Sequence, residues 1–120
     1  MAGDIKSFTE LKAWQYSHKL VKKIYLTFEK TPKNSAIKSQ IERSSLSITS
    51  NIAEGFGRES FADKKHFYVM ARGSAYEVQN QLILSRDTGC ISKTEFVKLS
   101  SLSLDSIKLL HGLIRSMKKG

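Results

Sequence analysis

One proline and one cysteine among 120 residues set the first bounds on this chain. A lone cysteine, Cys90, closes no internal disulfide, which excludes a disulfide-stapled scaffold and fits a reducing cytoplasm. Without a histidine or a helix N-terminus aimed at it, Cys90 reads as a small buried apolar residue rather than a reactive thiol. Long apolar runs are missing: nothing approaches the ~20 residues that span a bilayer, so no membrane role is expected. The opening MAGDIKSFTE lacks the hydrophobic stretch of a secretory signal. Strand signals are missing as well, with no two-residue alternation and no Asn-Gly or Asp-Gly hairpin turn. Three scattered histidines and one cysteine do not make a metal site, and no cofactor motif occurs.

What remains is helical. The chain is 40% hydrophobic and 26% charged, the balance of one globular domain spanning 1–120. Breakers near Pro32, Gly55–Gly57 and Gly89 cut it into four segments of similar length. In the first, from about Ser7 to Lys30, an apolar stripe runs through Phe8, Leu11, Trp14, His18, Val21, Tyr25 and Phe28. The second runs from about Asn34 or Ser35 to Glu54, with Ile37, Ile41, Ser44/Ser45, Ile48 and Ile52 on one side. Its serine-rich middle lets a neighbouring helix approach closely. The third opens at Ser60, whose spacing to Asp63 resembles a capping box, and carries Phe67, Met70, Ala71, Ser74, Val78 and Leu82. It should end at Thr88, with Gly89 as the C′ residue. The fourth opens on a full capping box, Ser92 to Glu95, and carries Phe96, Leu99, Leu102, Ser106, Leu110, Leu113 and Met117. Four helices joined by short loops pack as antiparallel neighbours, so the predicted fold is an all-α, up-down-up-down four-helix bundle.

Charge is distributed unevenly. The formal net charge is +9, which suggests an anionic partner such as nucleic acid. Residues 1–33 carry +4, 34–60 carry 0, 61–91 carry +1 and 92–120 carry +4. The first and last helices of such a bundle are adjacent, so the sequence predicts one basic face. Its candidate phosphate contacts are Lys12, Lys19, Lys22, Lys23, Lys108, Arg115, Lys118 and Lys119. Antiparallel packing would put Lys6 and Lys12 near Arg115, Lys118 and Lys119, and Lys19, Lys22 and Lys23 level with Lys108. No aromatic is clearly interleaved with these lysines, so base stacking on this face is not expected. A solvated face that aids solubility is the competing reading.

A positive case for catalysis is absent. A di-iron bundle needs Glu-x-x-His pairs, and none of the seven glutamates has a histidine three residues on. Asp63 and His66 make a single acidic version of that spacing and read as a solvated first-turn pair. Gly55-Phe56-Gly57 does not follow a strand, so it is no dinucleotide loop. His18 reads as a core or interface histidine and His111 as partly exposed. Two constellations are left. Asn51, Glu54 and Arg58 surround the Gly55–Gly57 corner, and Glu54 at a helix C-terminus calls for a cationic partner, Arg58 or Arg72. Gly73 and Ser74 should face the serines of the second helix. Arg43, Glu54, Arg72 and Glu77 are then expected to form a charge network between the second and third helices, a structural or inter-subunit fastener rather than a catalytic group.

The same residues carry a family likeness. SLSITSNIAEGFGRES followed by FYVMARGSAYEVQNQL, with FTELKAWQYSHKLVKKIY before them, closely resembles the four-helix-bundle family encoded in intervening sequences of bacterial 23S rRNA genes. Some members of that family are labelled S23 ribosomal proteins. The likeness covers nearly the whole chain. It departs at Thr31-Pro32-Lys33, where the family usually has a Phe-Pro-Lys/Glu turn. The resemblance implies a ring-shaped homopentamer. It also implies a non-enzymatic oligomer that binds RNA or DNA, as in the related accessory protein of diversity-generating retroelements. The alternative is a protein-interaction module that docks a partner such as a polymerase or reverse transcriptase.

Overall fold

A computed structural model describes residues 5–118. A 3-10 turn at Phe8–Glu10 precedes four helices: α1 (Lys12–Thr27), α2 (Ala36–Phe56), α3 (Phe61–Asp87) and α4 (Lys93–Arg115). Consecutive helices pack against one another, and α1 closes the ring against α4, while the diagonal pairs stay apart. The product is the predicted antiparallel four-helix bundle, 48 × 24 × 20 Å. Among the described residues no helix is long and apolar enough to cross a membrane.

Local chemistry explains the helix ends. Ser35, Ser60 and Ser92 are N-caps, accepting hydrogen bonds from the backbone N–H of Lys38, Asp63 and Glu95. Only Ser92 completes the box, with Glu95 Oε1 accepting from the Ser92 N–H at 2.8 Å. At the end of α3 the chain turns through Gly89, at φ +75°. The Cys90 N–H donates to Ser85 O at 2.8 Å and the Gly89 N–H to Arg86 O at 3.1 Å. That pair of bonds is a Schellman motif. Two lysines clamp the other corners. Lys38 Nζ donates to Phe28 O at 2.7 Å, and Lys64 Nζ donates to Phe56 O at 2.7 Å. Each places a cation on the carbonyls that the preceding helix leaves open, where the dipole favours it.

The core runs along the bundle axis. Leu20, Ile24, Phe28, Ile41, Ile48, Ile52, Val78, Leu82, Leu99 and Leu110 are buried there, each contributing about 1.5–3 kcal/mol. Small residues share the axis: Ala13, Ser17, Ser44, Ser45, Ala71, Ala75, Ser85, Ser100, Ser103 and Ser106 are buried too. Their hydroxyls are paired across or within helices. Ser17 and Ser106 meet at 2.6 Å between α1 and α4. Ser47 and Ser74 meet at 3.0 Å between α2 and α3. Gln79 donates to Ser100 Oγ at 3.0 Å and accepts from Ser103 Oγ.

Two predicted stripes shift in the structure. On α1 the buried side is Ala13, Ser17, Leu20, Val21, Ile24 and Phe28. Phe8, Leu11, Trp14 and His18 are half-buried at its edge, and Tyr25 is exposed. The aromatic row had outweighed the small residues that sit nearest the axis. On α3 the buried side is Tyr68, Ala71, Ala75, Val78, Leu82 and Ser85, while Met70 is exposed. This helix is apolar on its outer side as well, so periodicity alone does not tell inside from outside.

The Gly55–Gly57 corner differs from its sequence reading. Gly55 does not end α2: it lies inside the helix and is buried. A Cβ built on it would stand 2.9 Å from both Phe67 Cβ and Tyr68 Cε1. Gly55 is the contact point where the C-terminal end of α2 and the N-terminal end of α3 touch. Gly57, at φ −79°, is the C-cap.

Candidate functional site

The predicted basic residues divide into those that the bundle gathers and those that it scatters. Antiparallel packing of α1 on α4, in the register marked by Ser17 and Ser106, opens a line of shallow clefts along their outer seam. Lys12, Lys108 and Arg115 line one of about 370 Å³, floored by Leu11, Ala13, Leu109 and Leu113. Lys12 and Lys108 also line the adjoining cleft of about 230 Å³, with Tyr16, Asp105 and Leu109. Lys23 and Lys98 share a third cleft with Leu26, Thr27, Glu95 and Leu99. Lys19 is exposed between them, its Nζ 5.0 Å above the Tyr16 ring. All of these cations are exposed to solvent.

Several expectations about this face need correction. Lys108 lies level with Lys12 and Tyr16 rather than with Lys19, Lys22 and Lys23, because the Ser17–Ser106 contact sets the register one helical turn or more away. Lys23 is level with Lys98, a residue the charge reading passed over. Only a register between the two helices could single out Lys98 from the other exposed lysines. Lys22 lines none of these clefts; one residue from Lys23, it points ~100° further round α1. Lys118 is exposed beyond the end of α4, and Lys119 lies outside the described residues. The face is not purely cationic, because Asp105 and Glu95 sit on it. An aromatic is interleaved after all: Tyr16 is half-buried between Lys12 and Lys19 on the same helix.

The second constellation comes apart into separate contacts. Arg58 bridges Glu54 at 2.7 Å on the surface and lies 4.6 Å over the Phe67 ring, so it does fasten the α2–α3 corner. Asn51 Nδ2 donates to Ser47 O at 2.9 Å and so braces α2 itself. Glu77 accepts from Ser44 Oγ at 3.2 Å. Arg72 turns the other way, donating to His111 Nδ1 at 2.9 Å on α4. Tyr76 OH stands 3.5 Å from the other ring nitrogen. With an arginine donating to it, Nδ1 must be the acceptor, which places the imidazole proton on Nε2. Arg43 lines a cleft with Tyr25, Lys33, Lys38, Ser39 and Glu42 near the α1–α2 turn. Arg43, Glu54, Arg72 and Glu77 therefore form no joint network. Ser74 faces α2 as expected, but Gly73 does not; a Cβ there would meet nothing within 4 Å. Successive residues on a helix differ by ~100°, so both could not face α2.

The remaining singled-out groups are quieter. His18 stacks on Trp14 at 4.5 Å, half-buried. Cys90 is half-buried against the core rather than fully enclosed. Asp63 and His66 are both exposed. Among the described residues no cluster of histidine, cysteine and acidic side chains could hold a metal ion.

Burial also exposes a surface that sequence periodicity hid. Val69, Met70, Tyr76, Ile83 and Leu84 are all exposed on α3, with Gly73 among them. Across 69–84 the outward side of this helix holds one charge, Glu77.

Comparison with known proteins bears on the whole architecture. A crystal structure of a protein of unknown function from the S23 ribosomal protein family of Bacteroides thetaiotaomicron VPI-5482 superposes with a TM-score of 0.79. It is 26% identical and the match covers 86% of this chain and 98% of that one. No curated protein sequence matches. The model of the 23S rRNA-intervening sequence protein family matches residues 9–112, from the 3-10 turn through the seam of α1 and α4 to the last turn of the bundle. With the antiparallel four-helix fold, that match shows that the chain belongs to the 23S rRNA-intervening sequence protein family.

Proposed function

We propose that this protein is a non-enzymatic, self-assembling scaffold in the cytoplasm that binds nucleic acid, RNA or DNA, along the α1–α4 seam. The observation that carries the reading is the convergence of Lys12, Lys108 and Arg115 on one cleft, with Lys23 and Lys98 on another. Eleven residues separate Lys12 from Lys23 on α1, which is ~16 Å, about five base steps of a duplex strand. A sugar-phosphate backbone laid along the seam can therefore meet both clusters. The chain's net charge of +9 adds long-range attraction.

Electrophoretic shifts with structured RNA and duplex DNA over a salt series test this. Five cleft-lining cations predict a slope of log K against log salt no steeper than about −4.5 for duplex DNA. Lys12→Glu with Lys108→Glu should abolish binding near physiological salt. No binding at low salt, or binding indifferent to salt, would refute the reading.

The outward side of α3 supports assembly of copies, because a run of exposed apolar side chains with a single charge is what an interface buries. Gly73→Arg adds bulk and charge in the middle of that side without touching the protomer's own packing. It should lower the mass seen by light scattering while the helical spectrum stays. The same surface favours the second reading, a protein-interaction module. Recovery of one stoichiometric protein partner after nuclease treatment, with no nucleic acid bound by the purified protein, would establish that reading in place of the first.

A further inference from the structure

The cleft shared by Lys12, Tyr16, Asp105, Lys108 and Leu109 contains two groups that phosphate binding does not use. Tyr16 presents a half-buried ring between two lysines, with Lys19 above it. Asp105 is a half-buried carboxylate in a basic groove. Among the described residues it has neither an ion pair nor a hydrogen bond, although Lys12 and Lys108 line the same cleft. A carboxylate on a surface meant only for phosphates opposes binding. Its presence beside an aromatic ring makes chemical sense if the cleft takes something with N–H donors on a flat, stackable body.

On that ground we propose that this cleft holds one unpaired base of a single-stranded nucleic acid, with guanine as the preferred occupant. The inference rests on nucleic-acid binding along the seam and names the part of the ligand read there. The base stacks on Tyr16, and every base has a face for that. Lys12 and Lys108 hold the flanking phosphates, since backbone contacts position a strand. Asp105 supplies the choice between bases: its two oxygens accept from adjacent N–H donors, which guanine offers on its Watson–Crick edge. Uracil offers one such donor between two carbonyl oxygens, which a carboxylate repels. At about 230 Å³ the cleft is smaller than a site for a drug-sized ligand and suits a fragment the size of a base. A duplex keeps its bases stacked and paired, so it reaches the lysines and not this cleft.

Three probes separate the possibilities: a short uridine-only RNA, the same RNA with scattered guanines, and an RNA duplex of equal length. Tyr16→Ala should weaken binding of the guanine-containing strand at least ~5-fold and leave the duplex unchanged, whereas Tyr16→Phe should keep both. Asp105→Ala raises the net charge and so strengthens binding of all three, but the guanine-to-uridine affinity ratio should fall toward one. Equal losses for strand and duplex in Tyr16→Ala, or an unchanged ratio in Asp105→Ala, would overturn the base-docking proposal while seam binding stands. A native protein that binds none of the probes at low salt would overturn both.

Discussion

Replacing Gly55 with alanine adds one methyl group at the closest approach of α2 and α3. The new carbon would stand 2.9 Å from Phe67 Cβ, 2.9 Å from Tyr68 Cε1 and 3.1 Å from Tyr68 Cδ1. Neither neighbour can swing away. Phe67 Cβ is bonded directly to the α3 backbone, and the Tyr68 ring is buried. The helices must therefore separate by several tenths of an ångström, or the ring must leave its rotamer. Overpacking of this kind costs about 1–3 kcal/mol, and the rigidity of both neighbours puts this site in the upper half of that range. Alanine returns about 1 kcal/mol through its better helix propensity. The net expectation is a loss of about 1–2 kcal/mol, or about 4–8 °C in Tm. Urea unfolding followed by circular dichroism reads it as a lower midpoint with an unchanged slope. Gly57→Ala is the control: its nearest neighbours are backbone oxygens at 3.6 and 3.9 Å and its φ is −79°. It should shift stability by less than ~0.5 kcal/mol. A Gly55→Ala midpoint at or above that of the native protein would refute the close-contact argument. So would an equal fall in Gly57→Ala.

Further outcomes follow from other contacts. Ser17→Ala and Ser106→Ala should each cost about 1–2 kcal/mol by leaving a buried hydroxyl without its partner, while the double variant should be little worse than either single; additive losses in the double-mutant cycle would contradict the pairing. Gly89→Ala should cost ~1 kcal/mol or more because φ is +75° in the Schellman turn, and Gly89→Asn should cost less, both measured by urea unfolding. Burial holds the Tyr68 hydroxyl above its ordinary pKa of 10.0. The folded state thus keeps a proton that the unfolded chain releases, so this contribution is complete below pH 10 and is lost as pH rises above it. Tyr68→Phe should flatten that alkaline fall in a pH series of unfolding midpoints.

The helices, and the capped ends of α3 and α4, were legible because they depend on neighbours in sequence. A serine three residues before an acid caps α3 and α4 whatever lies across the bundle. Gly89 supplies a left-handed turn wherever α3 happens to point. Ser74 faces α2 as its place in the sequence predicts, but Gly73 beside it faces outward. The sidedness of α3 remained hidden because its outer surface is nearly as apolar as its inner one. The seam was half legible: charge counting found Lys12, Lys108 and Arg115 and missed Lys98, Tyr16 and Asp105. Those three are defined by what stands opposite them on another helix.

By itself the amino-acid sequence determined four helices, their antiparallel order, the serine caps of α3 and α4, and a surplus of positive charge on the first and last helices. These follow from periodicity, capping and chain connectivity, all of which act over a few residues or along short loops. Tertiary structure alone decided the register of α1 on α4, the burial of Gly55 against Tyr68 and the separation of Arg72 from Glu54. It also decided which apolar residues of α3 face outward. Such features are set by the fit of side chains between helices far apart in the chain, where a shift of one turn exchanges every partner.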